Sequence, residues 1–175
     1  YIADLGAPDL FFYEQGYSRQ ELIELALHVT NSVLENKPDD LYVTTHLCRG
    51  NYRSTWAFEA SYGLIADTLF AKERVNGFFL EYDDERSGDF RPLKQIPEGG
   101  ARVVLGLITS KRGELEEKEA IKARIKEASQ YVPLEQLCLS PQCGFASTHH
   151  GNILTEEDQW NKLKLIVEIA NEVWN

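Results

Sequence analysis

The segment RVVLGLI, residues 102–108, decides the fold because it has the apolar, β-branched composition of a buried strand. A charged stretch over 114–129 follows, and its apolar side chains recur at helical spacing. A second strand is predicted over 134–140. A strand, a helix and a strand in this order indicate two parallel strands joined by a helical crossover.

The same alternation extends towards the N-terminus and beyond residue 140. The other predicted elements are a helix over 19–36, a strand over 41–47, a helix over 56–72, a strand over 77–82 and a final helix after 155. The sequence therefore predicts an α/β protein with four parallel strands. These strands fit either half of a (β/α)8 barrel or part of an open sheet, because a closed barrel needs about eight strands.

The composition excludes several classes of protein. The chain has 175 residues, which fits one domain or a large part of one, and its net charge of −10 argues against nucleic-acid binding. It lacks both an apolar run of membrane-spanning length and an initiator methionine, so we expect no membrane contact and a longer parent protein. An odd count of three cysteines in a chain this long is poor material for a disulfide framework and favours a reducing, cytoplasmic setting.

Four candidate metal ligands follow predicted strands. His46 and Cys48 lie in THLCRGN, Glu81 ends GFFLE, and Cys143 follows the strand over 134–140. The carboxyl ends of parallel strands meet at one edge of a sheet, where α/β proteins build their active sites. Two thiolates, an imidazole and a carboxylate are a plausible ligand set for a tetrahedral zinc ion.

Simpler interpretations compete with the zinc site. A cysteine near a strand end is often a small buried hydrophobic residue, and we assign Cys138 to that class. The pair His46 and Cys48 is by itself a weak signal, and Glu81 could reach water. The coincidence of four suitable residues at three strand ends is the stronger argument.

Two further residues are candidates for binding substrate. Arg86 lies in the acidic loop after Glu81, and a guanidinium there can hold a substrate carboxylate through two parallel hydrogen bonds. Ser110 follows the strand over 102–108. No residue is assigned a catalytic role from the sequence.

Three motifs resemble a known family. THLCRGN at 45–51, FFLEYDDERSGD at 78–89 and LSPQCGFAST at 139–148 are similar to the C-terminal catalytic barrel of cobalamin-independent methionine synthase. The resemblance is closest to short bacterial proteins that carry this barrel without the N-terminal one. It extends from about residue 38 to the end and implies that residues 1–175 form the C-terminal half of one (β/α)8 barrel.

The resemblance also implies a reaction. Zinc held by His46, Cys48, Glu81 and Cys143 would bind homocysteine as a thiolate. This thiolate would take the methyl group of 5-methyltetrahydropteroyl-polyglutamate and form methionine. The expected partners are therefore these small molecules, with a homo-oligomer as an open alternative.

One departure from the family affects the methyl donor. Family members have a histidine, thought to protonate the folate leaving group, near the position of Thr109, and threonine is a poor acid at neutral pH. A non-folate methyl donor is therefore an alternative. A zinc hydrolase is a weaker alternative, because two thiolates make zinc a poorer Lewis acid, and a purely structural zinc is the third.

Overall fold

The computed structural model describes residues 15–175, which form an α/β structure around one parallel sheet. The strands are β1 (Thr44–Leu47), β2 (Gly77–Glu81), β3 (Arg102–Ile108) and β4 (Leu137–Pro141). They lie side by side in the order β1-β2-β3-β4, and each pair is parallel. The predicted parallel α/β fold is confirmed, whereas closure into a (β/α)8 barrel remains a prediction.

Among residues 15–175, three α-helices accompany the sheet: α1 (Arg19–Leu34), α2 (Lys118–Ala128) and α3 (Glu156–Trp174). The side chain of Ser18 accepts a hydrogen bond from the Glu21 amide and caps α1, and Thr155 caps α3 in the same way. Within residues 15–175, no helix is long and apolar enough to cross a bilayer.

The helix predicted over 56–72 is wrong for most of its length. The chain is irregular up to a 3₁₀ turn at Tyr62–Leu64, and a π-helix follows over Ala66–Phe70. The carbonyl of Ala60 accepts hydrogen bonds from the guanidinium of Arg49 at 2.9 and 2.6 Å, so it is not available to a regular helix. A tertiary contact therefore overrides the local helical pattern here.

Two predicted strands begin later than expected. The strand over 41–47 starts at Thr44, and Val43 instead donates its amide to the side chain of Asn76 at 2.9 Å. The first residues of the strand over 134–140 form a 3₁₀ turn, Leu134–Gln136, after Pro133. The carboxyl ends of all four strands lie within one residue of the prediction, and these ends position the candidate site.

Gly106 in β3 allows close packing between neighbouring strands. A Cβ atom at this position would lie 2.7 Å from both the Cα of Gln142 and the carbonyl oxygen of Leu80. Both contacts are with backbone atoms, which cannot rotate away. We therefore expect Gly106→Ala to lower the free energy of unfolding by about 1–3 kcal/mol.

Urea unfolding of the full-length protein measures this loss. Gly144→Ala is the matched control, because nothing lies within 4 Å of a Cβ atom built there. Equal transition midpoints for the two variants would contradict the close approach at Gly106.

Candidate metal centre

Three of the four predicted ligands come together at the carboxyl edge of the sheet. The ligand atoms of His46, Cys48 and Cys143 all lie within 4.8 Å of one another. His46 Nε2 is 3.1 Å from Cys143 Sγ, although the two residues are 97 positions apart in the chain. The alternation of a strand brings His46 and Cys48 to one side, and the end of β4 supplies Cys143.

This donor set fits zinc. Ligand atoms bound to a tetrahedral zinc ion at the usual bond lengths lie about 3.3–3.8 Å apart. The three atoms lie within 4.8 Å of one another, so small side-chain shifts would bring them to that spacing. Two sulfurs and one imidazole leave a further position for a carboxylate or a substrate.

The two thiols share one proton. Hydrogen bonds from Cys143 and from His46 lower the pKa of Cys48 to about 3, so Cys48 is a thiolate. The hydrogen bond to Cys48, together with burial, raises the pKa of Cys143, which therefore keeps its proton. The hydrogen bond to the Cys48 thiolate also raises the pKa of His46. The metal-free site thus holds a thiolate beside a thiol.

Alkylation of the metal-free protein tests this assignment. Because hydrogen bonding lowers the pKa of Cys48 to about 3, its thiolate fraction should change little between pH 8 and pH 5. We expect its rate of reaction with iodoacetamide to change less than twofold over this range. An ordinary thiol with a pKa of about 8.5 slows roughly tenfold per pH unit.

Peptide mass spectrometry separates the three cysteines in this experiment. Cys138, which is also partly buried and forms no part of the ligand group, serves as the internal reference. A rate at Cys48 that falls with pH as steeply as that of an ordinary thiol would contradict the thiolate.

Glu81, the fourth predicted ligand, is buried beside the group but does not belong to it. Its Oε2 accepts the backbone amide of Arg49 at 2.7 Å. Its Oε1 accepts Arg86 Nη2 and Lys111 Nζ, both at 3.1 Å. The carboxylate is therefore held by cationic side chains, and its role as a ligand stays a prediction.

Sequence reasoning missed two of these cations, Arg49 and Lys111. The side chain of Arg49 is fully buried, donates to the carbonyls of Ala60 and Glu81, and lies over the Tyr62 ring at 4.6 Å. Lys111 Nζ bridges the carboxylates of Glu81 and Asp83, at 3.1 and 2.7 Å. The one available signal was their position directly after β1 and β3, at the edge where the site is built.

Arg86 also lies at this edge of the sheet. Its guanidinium carbon is 4.0 Å from the centre of the Trp56 ring, and its Nη2 bonds Asp84 at 2.6 Å. Its Nη1 is buried and has no hydrogen-bond partner among residues 15–175. A substrate carboxylate is one group that would satisfy this donor, so the predicted binding role is retained as a proposal.

Ser110 is fully buried, and its contacts are with protein groups. Its hydroxyl and its amide both donate to the side-chain oxygen of Gln142, the residue before Cys143. Its carbonyl accepts Asn152 Nδ2 at 2.8 Å. Among the described residues Ser110 therefore supports the segment that carries Cys143, and its predicted contact with substrate remains untested.

The loop after β1 contributes a further contact. Asn51 Nδ2 donates to Cys143 Sγ at 2.9 Å. The same loop is tied to the segment after β4, because Asn152 Oδ1 accepts the amide of Ser54 at 3.0 Å. These bonds hold the segment after β1 close to the segment after β4, and these two segments carry Cys48 and Cys143.

Comparison with known proteins shows which proteins the chain resembles. No family model matches the sequence. The chain is 55% identical to YxjG, an uncharacterized protein of Bacillus subtilis strain 168. The match extends over 159 residues, which are 91% of this chain. It is 56% identical over 144 residues to YxjH of the same organism, with 82% of this chain covered.

Two solved structures share the fold. The proposed vitamin-B12-independent methionine synthase of Listeria monocytogenes matches 99% of this chain at 43% identity, with a TM-score of 0.74. The resemblance to cobalamin-independent methionine synthases is confirmed. A B12-independent methionine synthase from Shewanella sp. W3-18-1, solved in complex with selenomethionine, matches 89% of the chain with a TM-score of 0.71. Because the two sequences are only 18% identical, this match supports the fold alone.

The methionine synthase-like chain spans less than half of each of these proteins. It covers 42% of YxjG and 38% of YxjH. It covers 46% of the Listeria chain and 44% of the Shewanella chain. The activity of the whole protein is a proposal.

Proposed function

We propose that this chain carries the zinc-binding half of a cytoplasmic methyltransferase that methylates the thiol of homocysteine and forms methionine. The observation that carries the proposal is the convergence of His46, Cys48 and Cys143 within 4.8 Å at the carboxyl edge of the sheet. Glu81 completes the proposed ligand set. The likeness to methionine synthase-like structures supports the reaction class.

The chemistry needs a thiolate at neutral pH. A free thiol with a pKa of about 8.5 is mostly protonated there, and zinc bound at this site would supply the charge that keeps the substrate sulfur ionised. The thiolate would attack the methyl carbon, so that a C–S bond forms as the bond from methyl to donor breaks. A folate or thiolate leaving group takes a proton from solvent, in balance with the proton that the substrate thiol lost, whereas a sulfonium leaves as a neutral thioether and takes none. The unpartnered Nη1 of Arg86 would bind the carboxylate of the amino-acid substrate.

The methyl donor is proposed to be 5-methyltetrahydropteroyl-polyglutamate, with a non-folate donor as the alternative. Thr109 is nearly buried, and its hydroxyl accepts the amide of Lys111 at 3.2 Å. It offers no efficient acid for a pterin leaving group. A sulfonium or methylated-thiol donor needs less help from an acid, because its leaving group is a neutral or weakly basic sulfur.

The test is formation of methionine by the full-length zinc-loaded protein. Homocysteine is supplied with a methylfolate, a sulfonium or a methylated thiol in separate reactions, and the product is identified by mass spectrometry. Cys143→Ser should abolish turnover, whereas Cys138→Ser, whose thiol lies outside the ligand group, should preserve it. Failure of all three donor classes would overturn the proposal.

A further inference from the structure

The main chain of Glu81 is fixed at the end of β2. Its amide donates to the hydroxyl of Tyr62 at 2.7 Å. Its carbonyl accepts Arg49 Nη1 at 3.1 Å and the hydroxyl of Ser87 at 2.7 Å. The strand end therefore cannot shift without breaking several buried hydrogen bonds. Any movement of the carboxylate relative to the sulfurs must come from rotation of the side chain.

Both oxygens of the Glu81 carboxylate already have donors. Oε2 accepts the Arg49 amide at 2.7 Å, and Oε1 accepts Lys111 Nζ and Arg86 Nη2 at 3.1 Å each. The carboxylate lies outside the group formed by the histidine and the two cysteines. Its side chain must therefore rotate to reach a metal ion there, and this rotation would lengthen or break at least one of these hydrogen bonds.

Lys111 is suited to such an exchange. Its ammonium bonds Asp83 at 2.7 Å as well as Glu81, so it keeps a buried partner when Glu81 turns away. Arg86 also keeps a partner, Asp84 at 2.6 Å, but its guanidinium is stacked on the ring of Trp56, whereas the lysine side chain is flexible and can follow the carboxylate. The bond from Arg49 to Oε2 comes from its backbone amide. Lys111 is thus the cation that can release and receive the carboxylate at least cost.

We propose that Lys111 is a positioning residue that competes with the metal for Glu81 and keeps this carboxylate an exchangeable ligand. The proposal rests on the zinc methyltransferase function proposed above. A ligand that has an alternative partner can be displaced by an incoming thiolate, and it returns to that partner instead of remaining as an uncompensated buried charge. Lys111 therefore governs how readily the fourth position opens.

Zinc affinity measures this competition without any assay of activity. The metal-free full-length protein is titrated with zinc against a chromogenic chelator, for wild type, Lys111→Met, Glu81→Gln and the double variant. We expect Lys111→Met to bind zinc about tenfold more tightly, the scale of effect typical of groups that orient ligands. In the Glu81→Gln background the same change should alter the affinity less than twofold.

The double-variant cycle distinguishes exchange of Glu81 between Lys111 and the metal from a general electrostatic effect of the lost positive charge. Loss of a positive charge near the ion would tighten binding equally in both backgrounds, and that result would overturn the exchange mechanism while leaving the zinc site standing. Unchanged affinity in Lys111→Met would do the same. A wild-type protein that binds no zinc would overturn both this proposal and the proposed function.

Two further variants serve as a control and as an alternative to Lys111→Met. Lys118→Met removes an exposed lysine of α2, which pairs with Glu168 and Glu172, and should leave the zinc affinity unchanged. Lys111→Gln removes the charge but keeps a donor for Asp83, so it serves if Lys111→Met fails to fold. It should shift the affinity in the same direction, and a weaker affinity would count against the proposal.

Discussion

Cys143→Ser should weaken zinc binding by on the order of 10²–10³-fold. Four ligands together contribute roughly 10–16 kcal/mol to zinc binding in small structural sites, so one thiolate contributes a quarter of that. A serine hydroxyl is protonated at neutral pH and is a poor zinc ligand. Cys143 follows β4, whereas His46 and Cys48 lie at the end of β1, so the variant would also lose the link that a bound metal makes between these two strands.

Elemental mass spectrometry of the full-length protein, followed by chelator competition, measures this effect. Cys138→Ser is the matched control. Cys138 lies within β4, and its sulfur contacts Arg102 Nη1 at 3.7 Å rather than the ligand group. Stoichiometric zinc retained by Cys143→Ser after dialysis against chelator would show that Cys143 is not a ligand. Circular dichroism shows whether the metal-free variant remains folded.

Arg49→Met should lower the free energy of unfolding by about 3–5 kcal/mol, the cost typical of removing one partner from a buried ion pair. Arg49 is fully buried, and its Nη1 lies 3.6 Å from Glu81 Oε2. The substitution would also leave the carbonyl of Ala60 without the two donors it now has. The segment from Ala60 to Tyr62 would then keep one hydrogen bond to the end of β1, from the Tyr62 hydroxyl to the Leu47 carbonyl at 2.8 Å.

Denaturant unfolding of the metal-free protein measures this loss. Arg91→Met is the charge-matched control, because Arg91 is largely exposed and pairs with the exposed Asp89. That control should leave the transition midpoint unchanged. Arg49→Lys keeps the charge but cannot donate two hydrogen bonds to one carbonyl, so it should fall between wild type and Arg49→Met. Coinciding midpoints for the Arg49→Met and Arg91→Met variants would contradict the structural role of Arg49.

The parallel sheet could be predicted from sequence because its determinants are local. Apolar runs such as RVVLGLI, separated by amphipathic helices, permit little other than parallel strands. The helix predicted over 56–72 was wrong because the conformation of this segment depends on hydrogen bonds from Arg49, which lies after β1. A helical pattern cannot report that competition.

The candidate site divides in the same way. His46, Cys48 and Cys143 were predicted because their side chains carry metal chemistry and follow strands. Arg49 and Lys111 were missed because an arginine or lysine in a sequence is normally expected on the solvent-exposed surface. Their burial depends on carboxylates at the end of a different strand. Pairing of charges across strands is a property of the folded sheet and leaves no periodic signal.

The 97-residue separation between His46 and Cys143 has a kinetic consequence. Contacts between distant parts of a chain form late, after the loop entropy of the intervening segments has been lost. The complete ligand group therefore exists only once β1 to β4 have assembled. Metal bound to it stabilises the native state and not the folding transition state, so the ion should slow unfolding and leave the folding rate nearly unchanged. The time for which the protein retains zinc in the cell would then be set by its unfolding rate.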